Sequence, residues 1–137
     1  MFKLHEVFKK DLIEITDMKL SKLMLLPDQE NPWAVLVPKR EEIREIHELS
    51  WDDQVTLLEE INEVSRFLSD NYHPKKLNIG ALGNMVSQLH VHIICRYEND
   101  RSWPGAIWGT KATKETHNIS DLESTFRAHF EASRLSK

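Results

Sequence analysis

Two histidines one residue apart are the strongest candidates for chemistry in this sequence. They stand in the run Gln88-Leu89-His90-Val91-His92-Ile93-Ile94, where polar and apolar side chains alternate. Successive side chains of a β-strand point to opposite faces, so the pattern predicts an apolar face and a face that carries Gln88, His90 and His92. The strand would therefore present two imidazoles and a carboxamide in one row.

This row of side chains suits an anionic, tetrahedral group such as a phosphate. An imidazole is largely neutral near pH 7, so one histidine can attack while its neighbours donate hydrogen bonds to oxygens on which charge develops. All four glycines of the chain lie within residues 78–109, and backbone amides around residues 80–84 can add donors for a phosphate. We therefore expect phosphate chemistry at this strand.

Two other interpretations start from the same histidines. A His-x-His pair on a strand also occurs as partly buried polar packing without a function. It is also half of many metal sites, and a metal-dependent hydrolase would use both histidines. A third ligand at a familiar spacing is missing, however, because residue 94 is isoleucine and residue 97 is tyrosine. We therefore expect no metal and no cofactor.

The elements that precede this strand are predicted to be a helix, a strand and a hairpin. Residues 1–10 mix apolar and charged side chains at helical spacing, and residues 11–16 alternate as in a strand. Residues 20–26 and 33–37 are apolar stretches separated by prolines and Asx residues, which favour a turn. The second stretch does not alternate, which predicts a strand that is covered on both faces.

A long helix is the most regular predicted element. Ser50 can cap it, Asp52 and Asp53 suit its first turn, and it should end near His73-Pro74. Residues 43–49 predict a short amphipathic helix before it. The stripe of the long helix that we expect to face the core consists of Trp51, Val55, Leu58, Ile61, Val64 and Leu68.

Two strands and a final helix complete the prediction. Residues 77–79 are predicted to form a short strand and residues 87–96 a longer one. Residues 120–135 are predicted to be helical, with Ser120 and Glu123 as a capping box. The apolar stripe of that helix contains Leu122, Phe126 and Phe130.

Composition limits the classes of protein that fit. The chain has 137 residues, which is typical of one domain, and its net charge of −4 gives no overall basic field for a nucleic-acid polymer. Its apolar runs are too short for a membrane span. The single cysteine, Cys95, falls on the predicted apolar face, so a catalytic thiol is not expected. With no secretory pattern at residues 1–10, we expect a cytoplasmic protein.

The histidine run resembles the signature of the histidine triad (HIT) superfamily, in which three histidines alternate with apolar residues. The resemblance extends to Asn78-x-Gly80, to the turn at Gly83-Asn84, to the hairpin end at Val35-Leu36-Val37-Pro38-Lys39, to the long middle helix, and to Trp103-Pro104. Together these features cover most of residues 20–104.

The resemblance implies a single HIT-like domain over residues 1–137, with the motif core at about 20–110 and the C-terminal helix at about 120–135. It implies an α+β fold with a five-stranded antiparallel sheet, which pairs in a homodimer into a continuous sheet. It also implies a small-molecule nucleotide substrate and cleavage at its α-phosphorus without a required metal.

The resemblance also implies roles for individual residues. His90 resembles the nucleophile that forms a nucleotidyl-histidine intermediate, and His92 resembles the residue that holds phosphate oxygens. Asn78, Gly83 and Asn84 are expected around the phosphate, and Asp28 is expected at the ribose. Two further interpretations come from position along the chain: Arg96 as a cation for a polyphosphate and Trp103 as a residue that closes over the site.

Two positions depart from the family pattern. The first triad position holds Gln88, which we count with the catalytic residues because it can donate and accept hydrogen bonds, although it cannot titrate near neutral pH. Trp33 stands where many members carry another histidine. The leading hypothesis is a hydrolase or nucleotidyl transferase that acts on dinucleoside polyphosphates, nucleoside phosphoramidates or related conjugates. The alternative is a nucleotide-binding sensor or scaffold with little catalytic activity.

Overall fold

A computed structural model describes residues 1–135 as four helical segments and one sheet. The helical segments are α1 (Glu6–Asp11), a single 3-10 turn (Ile46–Glu48), α2 (Trp51–Tyr72) and α3 (Ile119–Leu135). The strands are β1 (Ile13–Asp17), β2 (Ser21–Leu25), β3 (Trp33–Pro38), β4 (Lys76–Gly80) and β5 (Val91–Arg96). The sheet has the order β1-β2-β3-β5-β4, and every neighbouring pair is antiparallel. The predicted α+β fold is confirmed.

One face of the sheet is covered by α2 and α3. The apolar residues that join in this core include Leu23, Leu25, Ala34, Leu36, Ile93, Cys95, Val64, Phe67, Phe126 and Phe130. The ring of Phe67 on α2 lies 5.0 Å from that of Phe126 and 4.8 Å from that of Phe130 on α3, measured between centroids. The prediction that Cys95 belongs to the apolar face of its strand is confirmed.

The opposite face is covered by the N-terminal segment and by part of the loop after β5. Here Leu4 and Phe8 pack with alternate residues of the strands, among them Val35 and Ile94, and with Ile107 from the loop. Every residue of β3 is buried as a result, as the unbroken apolar run predicts. His90 and His92 lie on this second face.

The long helix begins as predicted, but its buried face differs from the predicted stripe. The Ser50 hydroxyl accepts a hydrogen bond from the Asp53 backbone N–H at 3.1 Å. Trp51 is 75% exposed and Val55 and Leu58 are exposed too, so their assignment to the core is wrong. The face that is buried consists of Leu57, Glu60, Val64, Phe67 and Leu68.

Glu60 explains why hydrophobic periodicity alone misplaced this face. Its carboxylate accepts backbone hydrogen bonds from Leu20 at 2.7 Å and from Ser21 at 3.1 Å, at the start of β2. Burial raises the pKa of Glu60, although these two hydrogen bonds act in the opposite direction. A carboxylate that satisfies buried backbone donors occupies a position that a periodicity argument assigns to solvent.

Other details differ from the prediction as well, among them the first helix, which spans Glu6–Asp11 instead of residues 1–10. The short helix near residue 46 is a single 3-10 turn, and β5 begins at residue 91 instead of 87. Residues 88–90 bond outside the sheet ladder, since the Leu89 N–H donates to the Ile43 carbonyl at 2.9 Å. The predicted capping box at Ser120 is wrong, because the Asn118 side chain accepts from the N–H groups of Ser120 and Asp121 instead. Within residues 1–135 no helix is long and apolar enough to span a bilayer.

Candidate active site

The imidazole of His90 is held in one tautomer by a main-chain carbonyl just before β5. His90 precedes the first residue of β5, and its Nδ1 lies 2.7 Å from the main-chain carbonyl oxygen of Gln88. A carbonyl oxygen only accepts, so Nδ1 carries the hydrogen and Nε2 keeps its lone pair. That is the form of an imidazole that attacks an electrophile through Nε2.

His92 is held in the opposite tautomer by a tryptophan. The indole Nε1–H of Trp33 donates to Nδ1 of His92 at 2.8 Å. Because an indole can only donate, Nδ1 of His92 is the acceptor and its hydrogen sits on Nε2. The two rings are neighbours, with centroids 5.0 Å apart. The site therefore places a nucleophilic nitrogen beside a hydrogen-bond donor.

Burial keeps both imidazoles neutral. His90 is 8% exposed and His92 is 9% exposed. Burial lowers the pKa of His90, and its hydrogen bond to the Gln88 carbonyl only partly offsets this effect. Burial, followed by the proximity of His90, lowers the pKa of His92 to about 4. At neutral pH the pair can thus act as nucleophile and neutral donor.

Aromatic side chains surround the two rings. Phe8 contacts the His90 ring edge-on, with centroids 4.7 Å apart. The ring centroids of Trp33 and Trp108 each lie 5.7 Å from that of His92. A Cβ at residue 80 would come within 3.2 Å of the Trp108 ring, so Gly80 lets this indole approach β4.

Gln88 does not direct its side chain at a substrate in this structure. Its Nε2 donates to the Lys3 carbonyl at 2.9 Å, and its Oε1 accepts from the His5 backbone N–H at 2.9 Å. Both functional groups of the carboxamide are therefore engaged by the N-terminal segment. Gln88 contacts His90 through its main-chain carbonyl, which accepts the hydrogen bond from Nδ1.

A cavity of about 340 Å³ lies beside His90. Its lining residues are Arg44, Glu45, Ala81, Leu82, Gly83, Ser87, Gln88, Leu89 and His90. Gly83 has a positive φ of 67°, a backbone conformation that residues with a side chain rarely adopt. This glycine lets the loop turn at the cavity. Of the predicted phosphate contacts, Gly83 thus lies at the cavity with His90, whereas Asn84 is solvent-exposed.

Comparison with known proteins identifies the family to which this geometry belongs. The family model of the HIT domain matches residues 8–99, about two thirds of the chain. The chain belongs to the histidine triad family. It is thereby placed in a superfamily of nucleotide-binding proteins and hydrolases. No curated protein matches the sequence.

Three solved structures of HIT proteins are similar along nearly the whole chain. A histidine triad protein from Bradyrhizobium japonicum is 40% identical with a TM-score of 0.85, and the match covers 93% of this chain and 96% of that one. One from Sinorhizobium meliloti 1021 is 40% identical with a TM-score of 0.85 and 96% coverage of both chains. One from Marinobacter aquaeolei VT8 is 35% identical with a TM-score of 0.88 and covers 96% and 98%.

Arg96 lies outside the cavity in this HIT protein. It is 1% exposed, and Nε and Nη2 form a bidentate pair with Asp100 at 2.8 and 3.2 Å. Nη1 donates to Asn78 at 2.7 Å, and Nη2 also donates to the Gly105 carbonyl at 2.8 Å. Trp103 lies against this guanidinium, 5.8 Å from the ring centroid. These contacts engage the guanidinium of Arg96 within the fold, and they place Asn78 and Trp103 beside it.

The carboxylate of Asp28 is also bonded to other groups of the protein. Its carboxylate accepts from the backbone N–H groups of Glu30 and Asn31 at 2.9 and 2.8 Å, and it pairs with Arg101 at 2.8 Å. Asp28 and Arg101 are both buried side chains in this pair. Asp28 therefore fixes the turn between β2 and β3 to the loop after β5, and its carboxylate is engaged by these partners.

Three residues at the site have no role in the sequence-based prediction. Phe8 is 82 positions from His90 and carries no motif, so its only signal is an apolar position in a short amphipathic helix. Arg44 lines the cavity, whereas Arg40, four residues earlier, is paired with Asp53 at 2.6 Å. The sequence marks Trp33 only as a departure from the family pattern, and nothing local in the sequence predicts its hydrogen bond to His92.

In residues 1–135 no group of three His, Cys, Asp or Glu side chains is arranged to hold a metal ion.

Proposed function

We propose that this protein cleaves nucleotides at the α-phosphorus through a nucleotidyl intermediate on His90. The observation that carries the proposal is the pair of opposed tautomers, an acceptor at Nε2 of His90 next to a donor at Nε2 of His92. The product is a nucleoside monophosphate when water accepts the nucleotidyl group, and a transferred nucleotide when another acceptor does.

The first step follows from these tautomers. The lone pair on Nε2 of His90 forms a bond to the α-phosphorus, and the bond from phosphorus to the leaving group breaks with its electron pair on the leaving group. The Nε2–H of His92 donates to a non-bridging oxygen, where negative charge increases. Water then attacks the phosphorus and releases a proton to the solvent. The bond from phosphorus to Nε2 breaks with its electron pair on the nitrogen, which restores the neutral His90.

The engagement of Gln88 favours one type of leaving group. Its carboxamide cannot titrate near neutral pH, and both of its functional groups are bonded to the N-terminal segment. A leaving group that departs as a stable anion needs no proton, whereas an amine does. We therefore propose dinucleoside polyphosphates or related anhydride conjugates as better substrates than nucleoside phosphoramidates.

The cavity beside His90 is the proposed place of the phosphate groups. The turning loop at Gly83 can offer backbone N–H donors there, and Arg44 brings a positive charge to the cavity lining. Because Asn78, Arg96 and Asp28 are bonded elsewhere, this proposal assigns phosphate binding to the loop and to Arg44.

A rapid-quench experiment tests the proposed intermediate. Purified protein is mixed with diadenosine tetraphosphate or with adenosine phosphoramidate, each in excess chelator, and analysed by mass spectrometry. We expect adenylate as product, an adenylated peptide that contains His90, and a higher rate with the tetraphosphate. Turnover that is lost in chelator would instead favour a metal-dependent hydrolase.

Matched variants complete that test. His90→Ala should abolish turnover and leave nucleotide affinity within about tenfold, because it removes the nucleophile alone. His47→Ala, an exposed histidine on the 3-10 turn, should behave as the wild type. An active His90→Ala protein would reject the covalent route. Binding without product or adduct in the wild type would favour the sensor or scaffold function, which the engaged Gln88 also fits.

We further propose that the chain forms one domain, acts in the cytoplasm without a cofactor, and pairs as a homodimer. The support for pairing is β4, an edge strand that, within residues 1–135, is bonded to a neighbouring strand on one side only. Joining two copies at this edge would make one continuous sheet and cover exposed apolar side chains such as Ile79, which is 50% exposed. We expect twice the chain mass by light scattering, and a smaller mass for Ile79→Lys. A wild-type protein with the mass of one chain would refute pairing.

A further inference from the structure

The N-terminal segment, residues 3–8, lies against the candidate active site. Its backbone meets the Gln88 carboxamide at two points, the Lys3 carbonyl and the His5 N–H, both at 2.9 Å. Further along, Leu4 and Phe8 are buried, and Phe8 contacts the His90 ring. The segment is therefore anchored by apolar burial and fixed in register by one side chain.

We propose that Gln88 is a positioning residue that clasps this segment over the site, so that Phe8 keeps water away from His90. The inference rests on the proposed function of His90 but concerns a different property of it. In the proposed enzyme the side chain at the first triad position therefore contacts the chain's own backbone and not the substrate.

The chemistry of a carboxamide suits this task. A primary amide carries a donor and an acceptor side by side, and here they meet the carbonyl of one residue and the N–H of the second residue after it. An imidazole also has one donor and one acceptor when neutral, but they lie on opposite sides of the ring. A histidine at position 88 could make one of these bonds and not both. The glutamine thus fits the segment better than the family's usual residue.

Gln88 also links the clasp to the nucleophile through its main chain. Its carbonyl accepts from His90 Nδ1 at 2.7 Å, while its side chain holds the segment that carries Phe8. The ionisable groups near His90 are His92 on β5 and, in the lining of the same cavity, Arg44 and Glu45. Release of the segment would leave these three groups in place. It would move the side chains of Lys3, His5 and Glu6, which the segment itself carries beside Gln88, and it would let water reach the His90 ring.

Hydrogen exchange and histidine titration test the clasp without any need for turnover. In Gln88→Ala the His5 N–H loses its acceptor, so its exchange should accelerate about tenfold or more. Hydration of the ring should also move the measured pKa of His90 upward, toward the ordinary value of about 6.5. The matched control is Gln54→Ala, since Gln54 also donates from its carboxamide to a backbone carbonyl, that of Leu49 at 3.0 Å. The control should change neither reading.

Two more variants separate the clasp from a general loss of stability. Gln88→Glu keeps an acceptor for His5 but has no donor for Lys3, so it should give an intermediate acceleration. Phe8→Ala should raise the pKa of His90, and combining it with Gln88→Ala should raise it no further, because both act through the same ring. A His5 exchange rate or a His90 titration that Gln88→Ala leaves unchanged, or that Gln54→Ala moves equally, overturns the inference. Failure of His90 to form an adduct overturns the proposed function alone.

Discussion

Replacing Trp33 by phenylalanine removes the hydrogen bond that sets the tautomer of His92. The indole N–H donates to Nδ1 of His92 at 2.8 Å, and the phenylalanine ring has no donor. His92 would then be free to carry its hydrogen on Nδ1. In that form Nε2 has a lone pair instead of a hydrogen, and it repels a phosphoryl oxygen where it should donate to it.

The size of the effect can be estimated from the burial of this pair. Both side chains are buried, so Nδ1 of His92 would be left without a partner in a site that admits little water. Leaving one buried acceptor unsatisfied costs about 1–3 kcal/mol, which corresponds to a decrease in kcat of about fivefold to about 150-fold if the step depends on that tautomer. We expect KM to change less than kcat, because the donor acts where charge develops in the transition state.

Trp108→Phe is the matched control for this prediction. Trp108 contacts the same histidine ring at the same 5.7 Å, but its Nε1 has no hydrogen-bond partner among the residues that the structure describes. Both substitutions remove the same number of atoms beside His92, and only one removes a hydrogen bond. The ratio of the two kcat values for diadenosine tetraphosphate therefore measures the hydrogen bond.

Nitrogen-15 spectra of the histidines provide a second readout that does not depend on the substrate. In the wild type His92 should be protonated at Nε2 and His90 at Nδ1. Trp33→Phe should shift His92 toward the other tautomer and leave His90 as it was. The reasoning fails if Trp33→Phe and Trp108→Phe have equal kcat values and His92 keeps its hydrogen on Nε2 in both.

Two further predictions concern stability. The pKa of His92 is about 4 in the fold and about 6.5 in an unfolded chain, so the unfolded state binds more protons and the free energy of unfolding should fall as pH drops from 6.5 to 4, by up to about 3 kcal/mol. Urea titrations across this range should show it, and His92→Asn, which keeps an acceptor for Trp33, should flatten the dependence; equal slopes would contradict the assignment. Asp100→Asn leaves the buried Arg96 without its counter-charge and should cost about 3–5 kcal/mol. Glu98→Gln, which breaks an exposed pair with Lys75, should change the melting temperature little, and equal losses would refute the difference.

Local patterns predicted the elements and the two faces of the histidine strand. Strand alternation depends only on neighbouring residues. It therefore predicts, without any long-range contact, that His90 and His92 share one face of the strand and that Cys95 lies on the other. The unbroken apolar run of β3 gave burial on both faces for the same reason. These results required no knowledge of what packs against the strands.

Long-range contacts decided what local patterns could not. Arg101 and Asp28 are 73 positions apart, and only the fold brings them together as a buried pair. A sequence shows Asp28 and Arg96 as charges, and charges are normally expected at the surface or at a ligand. Trp51 illustrates the reverse case, because an apolar residue at helical spacing is exposed when the helix buries a different face. The clasp of Gln88 on Lys3 and His5 belongs to the same class of contact.

The position of Cys95 has a practical consequence for experiments on this protein. It is the only thiol in the chain, it is fully buried on β5 between β3 and β4, and burial raises its pKa to about 12. Thiol reagents react with the thiolate, so the folded protein should resist labelling. The rate of modification then reports how often the sheet opens, and each variant described above can be compared with the wild type by this rate without an added fluorophore or tag.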